Sequence, residues 1–547
     1  MNRPRFDWKA VVLVAALLAV WFGTLDHRAL LRPDEGRYAE IPREMAATGD
    51  WLTPRLNAIK YFEKPPLQYW ATASAYSLFG EHHWTARLWT ALTGLGGILL
   101  AAFLGTRLWG LRAGIVAGTA LAGTTLYNIM GHLTSLDMGL TFFLQLALTG
   151  FVLAQQAAAP AIGRRWMLLA WAGLAGAVLS KGLVALVLTG LAIVAYTAVN
   201  RDIGPWKRFA PLSGLLLFLA ITAPWFVAVS LANPEFPHFF FIHEHFERFL
   251  TRAHRRYQPG GYFVFIYLVG ALPFALLYLH GLLKAWGRRT AGQFSAERFL
   301  AVWVVTTFGF FSLSSSKLPP YILPIFPALA LLLGAALAQI SRRALIVHLS
   351  LLLLATLPMI YYVPPTIRNW DRDYSDAMLA EVSGWLGGSA VLWMIALCAA
   401  LIFAWKQRRH LALTALGAGS LLAGTGFLLG YDALSSHYSG YESAEKIRPL
   451  LKPGVPFYSV QWYEQTIPFY LKRTVTLVAH KDEMAFGIAQ EPNKWIPTLE
   501  EFKRRWQADP DAFALMPIGT FEAFSAEGLP MQEITRDQRN VYVRKPQ

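Results

Sequence analysis

The acids Asp34 and Glu35 directly follow Pro33, and Lys64 stands in the run Glu63-Lys64-Pro65-Pro66. Proline suits the first turn of a helix and acids favour its positive end, so Asp34 and Glu35 open a helix. Tyr38, Ile41 and Met45 then recur at helical spacing, which would let that helix lie along an interface. Pro42 should bend it and Gly49 should end it. Two readings follow. Either Asp34 or Glu35 faces a reaction centre, or both cap the helix, with Arg37 as a partner. The two prolines restrict Lys64 to extended backbone, which suits a cation aimed at an anion and equally a solvated turn.

Other groups carry the same two-sided reading. Asp137, in GHLTSLDMGL, lies beside hydrocarbon, where an acid is costly and marks function unless it only caps a helix. Lys317 and Tyr321 in SSSKLPPYILP again set a cation beside a Pro-Pro turn, and Lys181 is a weaker counterpart. His243, Glu244, His245 and Glu247 in FIHEHFERF do not have the HExxH order. A divalent ion shared with another loop stays open there; interfacial polar residues are the plainer reading. There is no GxSxG, P-loop or Rossmann glycine pattern in a strand–helix setting, so nucleotide-driven chemistry has no signature.

The elements that must hold these groups are membrane helices. Of 547 residues, 55% are hydrophobic and only 15% charged, far from the balance of a soluble chain. A bilayer core of ~30 Å takes roughly 20 apolar residues as helix, because backbone amides find no water there. Thirteen candidate spans result: 10–25, 86–106, 113–131, 137–155, 166–180, 182–199, 211–231, 261–283, 299–315, 321–340, 344–362, 387–405 and 411–430. The first, after MNRPRFDWK, has no convincing cleavage site behind it and is read as a retained span.

Charge fixes sides. With the N-terminus cytoplasmic, every inside connection is basic, from Arg107 and Arg112 to Lys406, Arg408 and Arg409, as the positive-inside rule requires. Thirteen crossings leave the C-terminus outside. The net charge of +15 is thereby spread between spans, with no soluble basic domain to bind nucleic acid. Most carboxylates, among them Asp34, Glu35, Glu40, Glu44, Glu63, Asp137 and Glu244, fall outside, so acid–base chemistry belongs there. Misplaced cations sharpen the point. The loop 26–85 carries Arg28, Arg32, Arg37, Arg43, Arg55, Lys60 and Lys64, and 232–260 carries Arg248, Arg252, Arg255 and Arg256. These oppose the topological bias, and a phosphate or an anionic lipid headgroup is the partner such donors suit.

From 431 the pattern changes. Strand-like runs at 456–460, 475–478, 513–516 and 541–543 alternate with helical ones, and Thr498 and Glu501 have capping-box spacing. The expected architecture is an α-helical polytopic membrane protein of about thirteen transmembrane helices, 1–430, with an outer α/β domain, 431–547. Cys398, the only cysteine, sits in an apolar stretch, so disulfides within the chain, zinc–cysteine sites and thiol catalysis are excluded.

The stretches PDEGRYAEIPREM, GDWLTPRLN and YFEKPPLQYW together resemble the first periplasmic loop of bacterial membrane glycosyltransferases of the protein O-mannosyltransferase-like superfamily, of GT-C type. Within it, they most resemble the lipid A aminoarabinose transferases. The resemblance implies an undecaprenyl phosphate donor carrying 4-amino-4-deoxy-L-arabinose, a lipid A phosphate acceptor, and work at the periplasmic face of the inner membrane. It implies Asp34 as the first-loop catalytic carboxylate and Asp137 as a second acid. Glu35, Arg37, Tyr38, Tyr61, Glu63 and Lys64 would surround the cavity, with Lys64 near the donor phosphate. Arg248, Arg255, Lys317 and Tyr321 join as substrate-binding groups on the charge reading alone. No cofactor is required; a divalent cation stays open. A related enzyme with another sugar or a protein acceptor is the first alternative, and a lipid or solute transporter the second. Transporters place polar sites near the midplane, whereas these charges cluster at one face.

Overall fold

The computed structural model describes residues 8–247, 258–287, 294–368 and 374–546. Arg248, Arg252, Arg255 and Arg256, and with them the cation cluster of 232–260, lie outside the described residues. The chain divides into two compact units: 1–25, 89–370 and 383–430 form one, and 26–88, 371–382 and 431–547 form the other.

The first unit is helical. Among the described residues seven helices are long and apolar enough to cross a membrane, and two bent pairs raise this to nine. The pairs are Leu111–Ala122 with Thr125–Gly131, bent by 68°, and Tyr262–Gly270 with Ala275–Gly287, bent by 109°. Helices stand at the remaining expected spans too, including Trp8–Phe22, Pro160–Lys181, Val184–Asn200 and Arg342–Arg368. Burial separates two kinds of span. Leu136–Gln156 is 78% buried within its apolar window, whereas Pro211–Ala232 is 17% buried and turns Leu212, Leu216 and Leu231 outward. Large exposed side chains of that density suit lipid, and the chain is a multi-pass membrane protein. Leu136–Gln156 instead packs tightly on Pro160–Lys181 through small residues. A Cβ on Gly150 or Gly173 would meet the neighbouring backbone at 2.6 and 2.7 Å.

The second unit holds the first long loop together with the C-terminal residues. After a short hairpin of β1 (Arg55–Leu56) and β2 (Ile59–Lys60), a six-stranded sheet follows in the order β5–β4–β3–β6–β8–β7. Here β3 is Phe457–Val460, β4 Thr476–Val478, β5 Trp495–Ile496, β6 Phe513–Pro517, β7 Gln532–Arg536 and β8 Asn540–Arg544. β5, β4, β3 and β6 run parallel, and β8 and β7 close the edge antiparallel. All four residues of β3 are buried, as expected of a central parallel strand covered on both faces. Val460, Val478, Ile496, Met516 and Val543 form one core with Phe502, Trp506 and Phe524. The Thr498 side chain accepts the Glu501 N–H at 3.2 Å, as the capping spacing predicts. The Glu501 carboxylate pairs with Arg505 instead of returning to the cap.

Candidate active site

The helix Asp34–Thr48 is the centre of the second unit. Pro33 is its N-cap, and Gly49 ends it at φ +75°, its N–H donating to the Met45 carbonyl. Every residue from Glu35 to Met45 is buried, so the helix is enclosed and does not lie along an interface as its spacing suggested. Enclosure decides which acids remain available.

Glu35 is held by two arginines. Arg87 donates from Nε at 2.8 Å and from Nη2 at 2.9 Å, and Arg28 from Nη1 at 3.0 Å. The Leu31 N–H adds a fourth donor at 3.0 Å. Arg87 also donates to the carbonyls of Arg28 and Ala29, at 2.6 and 2.9 Å. Glu40 makes a bidentate pair with Arg43, 2.6 Å in each arm. Glu44 accepts the N–H groups of Asn57 and Ala58. Those two residues, at φ 56° and 63°, form the turn of the hairpin β1 (Arg55–Leu56) and β2 (Ile59–Lys60). The Asn57 side chain in turn exchanges hydrogen bonds with the backbone of Val475, which ties the hairpin to the approach to β4. Burial, and then the charge of Glu40, hold the Glu44 carboxyl well above the ordinary glutamate range.

Asp34 differs from all of these. Its side chain is 56% exposed, and the Arg37 guanidinium, only 7% exposed, stands 3.8 Å from it. Arg37 has closer partners: Glu483 at 2.5 Å and the Tyr61 hydroxyl, which accepts at 3.1 Å. The rings of Tyr38 and Tyr61 lie 5.6 and 6.0 Å from the guanidinium carbon. Burial pushes both phenols well above their usual range, so they stay neutral donors. The structure thus brings Asp34, Arg37, Tyr38 and Tyr61 together. Glu63 and Lys64 are half-buried, and the Lys64 ammonium donates to the Glu63 carbonyl at 2.8 Å. Pro66 then starts the helix Leu67–Phe79.

In the first unit, Asp137 lies in the first turn of Leu136–Gln156 and is ion-paired to Lys181, the last residue of Pro160–Lys181. Lys181 also stands 4.8 Å over the Tyr321 ring. Asp137 and Tyr321 are therefore joined through the lysine that the sequence marked as the weaker cation. Lys317 is buried and donates to the carbonyls of Ser314 and Gln258, at 2.6 and 3.3 Å. His243 stacks on Phe239, ring centroids 5.2 Å apart. Among the described residues no three His, Cys, Asp or Glu side chains gather as metal ligands.

Sequence reasoning passed over Arg87, Gln465 and Glu483. Arg87 had a signal, since a charged residue just inside an apolar span is costly unless it is paired. Glu483 had none: it lies in the short turn Asp482–Met484, and its partner is hundreds of residues away.

Comparison with known proteins finds relatives along most of the chain. Residues 443–545 match the aminoarabinose transferase C-terminal domain, and residues 8–240 match the dolichyl-phosphate-mannose-protein mannosyltransferase family. An undecaprenyl phosphate-α-4-amino-4-deoxy-L-arabinose arabinosyl transferase from Erwinia tasmaniensis is 34% identical over 411 residues, 73% of either chain. One of the same name from Aeromonas salmonicida is 34% identical over 376 residues, covering 66% of this chain and 68% of its own. The crystal structure of ArnT from Cupriavidus metallidurans bound to undecaprenyl phosphate superposes with a TM-score of 0.93. It is 36% identical, with 98% of this chain and 99% of that one covered.

Proposed function

Because the chain belongs to the undecaprenyl phosphate-α-4-amino-4-deoxy-L-arabinose arabinosyl transferase family, we propose that it moves 4-amino-4-deoxy-L-arabinose from undecaprenyl phosphate to a lipid A phosphate. Transfer takes place at the periplasmic face of the inner membrane, with the N-terminus cytoplasmic and the C-terminal α/β residues outside. The observation that carries this reading is the near-complete match to a relative that binds undecaprenyl phosphate.

The chemistry follows from the groups present. An acceptor phosphate oxygen forms a bond to the anomeric carbon as the bond from that carbon to the donor phosphate oxygen breaks. Undecaprenyl phosphate leaves as an anion, so cations assist its departure and no general acid is needed. Lys64 fills that role, together with Arg248 and Arg255. The acceptor phosphate is already ionised, which removes the need for a strong base. Asp34, the exposed carboxylate beside Arg37, stabilises the positive charge that builds on the sugar as the bond loosens. Asp137, paired to Lys181, is the second acid, with Tyr321 beside the pair and Lys317 as a further cation.

Mass spectrometry of lipid A from cells with and without the gene tests this reading. One 4-amino-4-deoxy-pentose added per modified phosphate is expected with the wild-type gene. It should vanish with Asp34→Asn at normal protein levels, a loss on the order of 100-fold or more if a transition-state charge partner is removed. Unmodified lipid A with the wild-type gene would reject this acceptor and sugar.

A further inference from the structure

Arg37 stands between two carboxylates of unlike standing. Glu483 touches it at 2.5 Å with a side chain only 12% exposed; Asp34, 56% exposed, is 3.8 Å away. A buried guanidinium requires a counter-charge, and here that charge comes from the C-terminal residues. The Glu483 carboxylate is fixed in turn by the Gln465 side-chain amide, which donates to Oε1 at 3.1 Å. On its other edge Arg37 donates to the Tyr61 hydroxyl at 3.1 Å. Its Nε is buried without a hydrogen-bond partner, so Glu483 and Tyr61 set how the guanidinium sits.

From this arrangement we infer that Glu483 is a positioning residue for glycosyl transfer: by neutralising Arg37 it keeps Asp34 exposed and out of a tight ion pair. The inference rests on the proposed transfer reaction. Without the Glu483 charge, Arg37 has Asp34 as its nearest carboxylate, 3.8 Å away, and closing that gap would draw Asp34 out of solvent. The backbone makes the contact tight, since a Cβ on Gly36 would stand 2.7 Å from the Gln465 carbonyl carbon. The C-terminal segment is thus pressed against the first turn of the helix that bears Asp34. The titratable and charged groups around the pair are Tyr38 on the same helix, Tyr61, Glu63 and Tyr69 from the loop and the next helix, and Tyr463 and Asp482 from the C-terminal residues. Burial keeps the four tyrosines neutral. The carboxylates therefore set the local balance, and removing Glu483 makes it more positive.

The test is steady-state turnover of an undecaprenyl-phosphate-linked 4-amino-4-deoxy-L-arabinose donor with lipid A, by the full chain in detergent, across pH. Glu483→Gln keeps the shape and removes the charge. Its kcat is expected to fall between about 10- and 100-fold, the scale of a misplaced reacting group, with donor KM changed less than about threefold. The acidic limb of kcat is expected to move to lower pH, because the Glu483 carboxyl, raised by burial, no longer loses its charge there. Glu483→Asp keeps the charge and should leave the limb at the wild-type position, with kcat between the two. A wild-type kcat and limb in Glu483→Gln would overturn the inference, as would a lowered kcat with an unmoved limb. If Glu483→Gln does not fold, wild-type kcat in Glu483→Asp, whose carboxylate reaches one methylene less far, overturns it instead. An inactive wild-type protein would refute the transfer reaction itself.

Discussion

Replacing Glu35 by glutamine separates two roles for the acid next to Asp34. Resemblance to the family places Glu35 around the substrate cavity; its contacts place it between Arg28 and Arg87. The three side chains are 3%, 5% and 1% exposed, and Glu35 receives four donors at 2.8–3.0 Å. Glutamine keeps the volume and part of the hydrogen bonding but leaves two buried guanidinium groups without this counter-charge. Breaking a buried ion pair from one side costs about 3–5 kcal/mol. Asp432, which accepts the Ala29 N–H at 3.0 Å, can take up part of the charge and favours the lower end. A unit of nearly 200 residues loses about 2–4 °C per kcal/mol, so the transition should fall by roughly 6–20 °C. The assay is tryptophan-fluorescence melting of the purified protein in detergent, paired with donor turnover well below the transition. The expected result is a lowered transition with turnover retained per folded molecule. An unchanged transition with abolished turnover would refute the reasoning and return Glu35 to the substrate.

Two further outcomes follow from the same helix. Gly36→Ala should destabilise the second unit by about 1–3 kcal/mol, because the new methyl would stand 2.7–2.8 Å from the Gln465 and Thr466 backbone, which cannot rotate away; melting of the variant checks it. Glu44 has a raised folded value, so its contribution to stability is complete below the unfolded glutamate value and is lost as pH rises through the folded one. Glu464 and Glu483, also raised by burial, act in the same direction. The carboxyl contribution should therefore decline from about pH 5 upward, against a rise from His83 and His480, whose values burial lowers. Glu44→Gln should remove part of the carboxyl decline, measured as the variant's melting temperature relative to wild type against pH.

Much of the frame was legible because its signals are local. Apolar length marked the spans, Gly49 marked a helix end, and the runs at 456–460, 475–478, 513–516 and 541–543 became β3, β4, β6 and β8. What escaped depends on distant parts of the chain. β7 alternates too weakly to stand out, and the hairpin β1–β2 exists because Glu44 and Val475 hold its turn. The bend between Leu111–Ala122 and Thr125–Gly131 fell inside one apolar run, where hydropathy gives length but not direction. The Asp137–Lys181 pair joins the ends of two helices; alone, Asp137 read as a functional acid or a helix cap and Lys181 as a weaker cation, with nothing in the sequence to pair them.

The carboxylates show why sidedness alone does not choose a reacting group. Charge bias gathers Asp34, Glu35, Glu40, Glu44 and Asp50 in one segment expected outside, and apart from the family resemblance the sequence prefers none of them beyond spacing. Burial does. Glu35 is committed to two arginines, Glu40 to Arg43, Glu44 to a hairpin turn, and Asp50 to the N–H groups of Leu52 and Thr53. The Glu40–Arg43 pair and the Asp50 turn are local, but Arg87 and the hairpin turn reach Glu35 and Glu44 only through folding, so those two commitments cannot be seen in the order of residues. Asp34 keeps its exposure because Arg37 is satisfied from elsewhere, and the satisfying group is a C-terminal glutamate with no motif of its own. The availability of the first-loop acid is thus a property of the C-terminal residues as much as of the loop. Substitutions around Glu483 should therefore bear on transfer through Asp34 without touching the sugar.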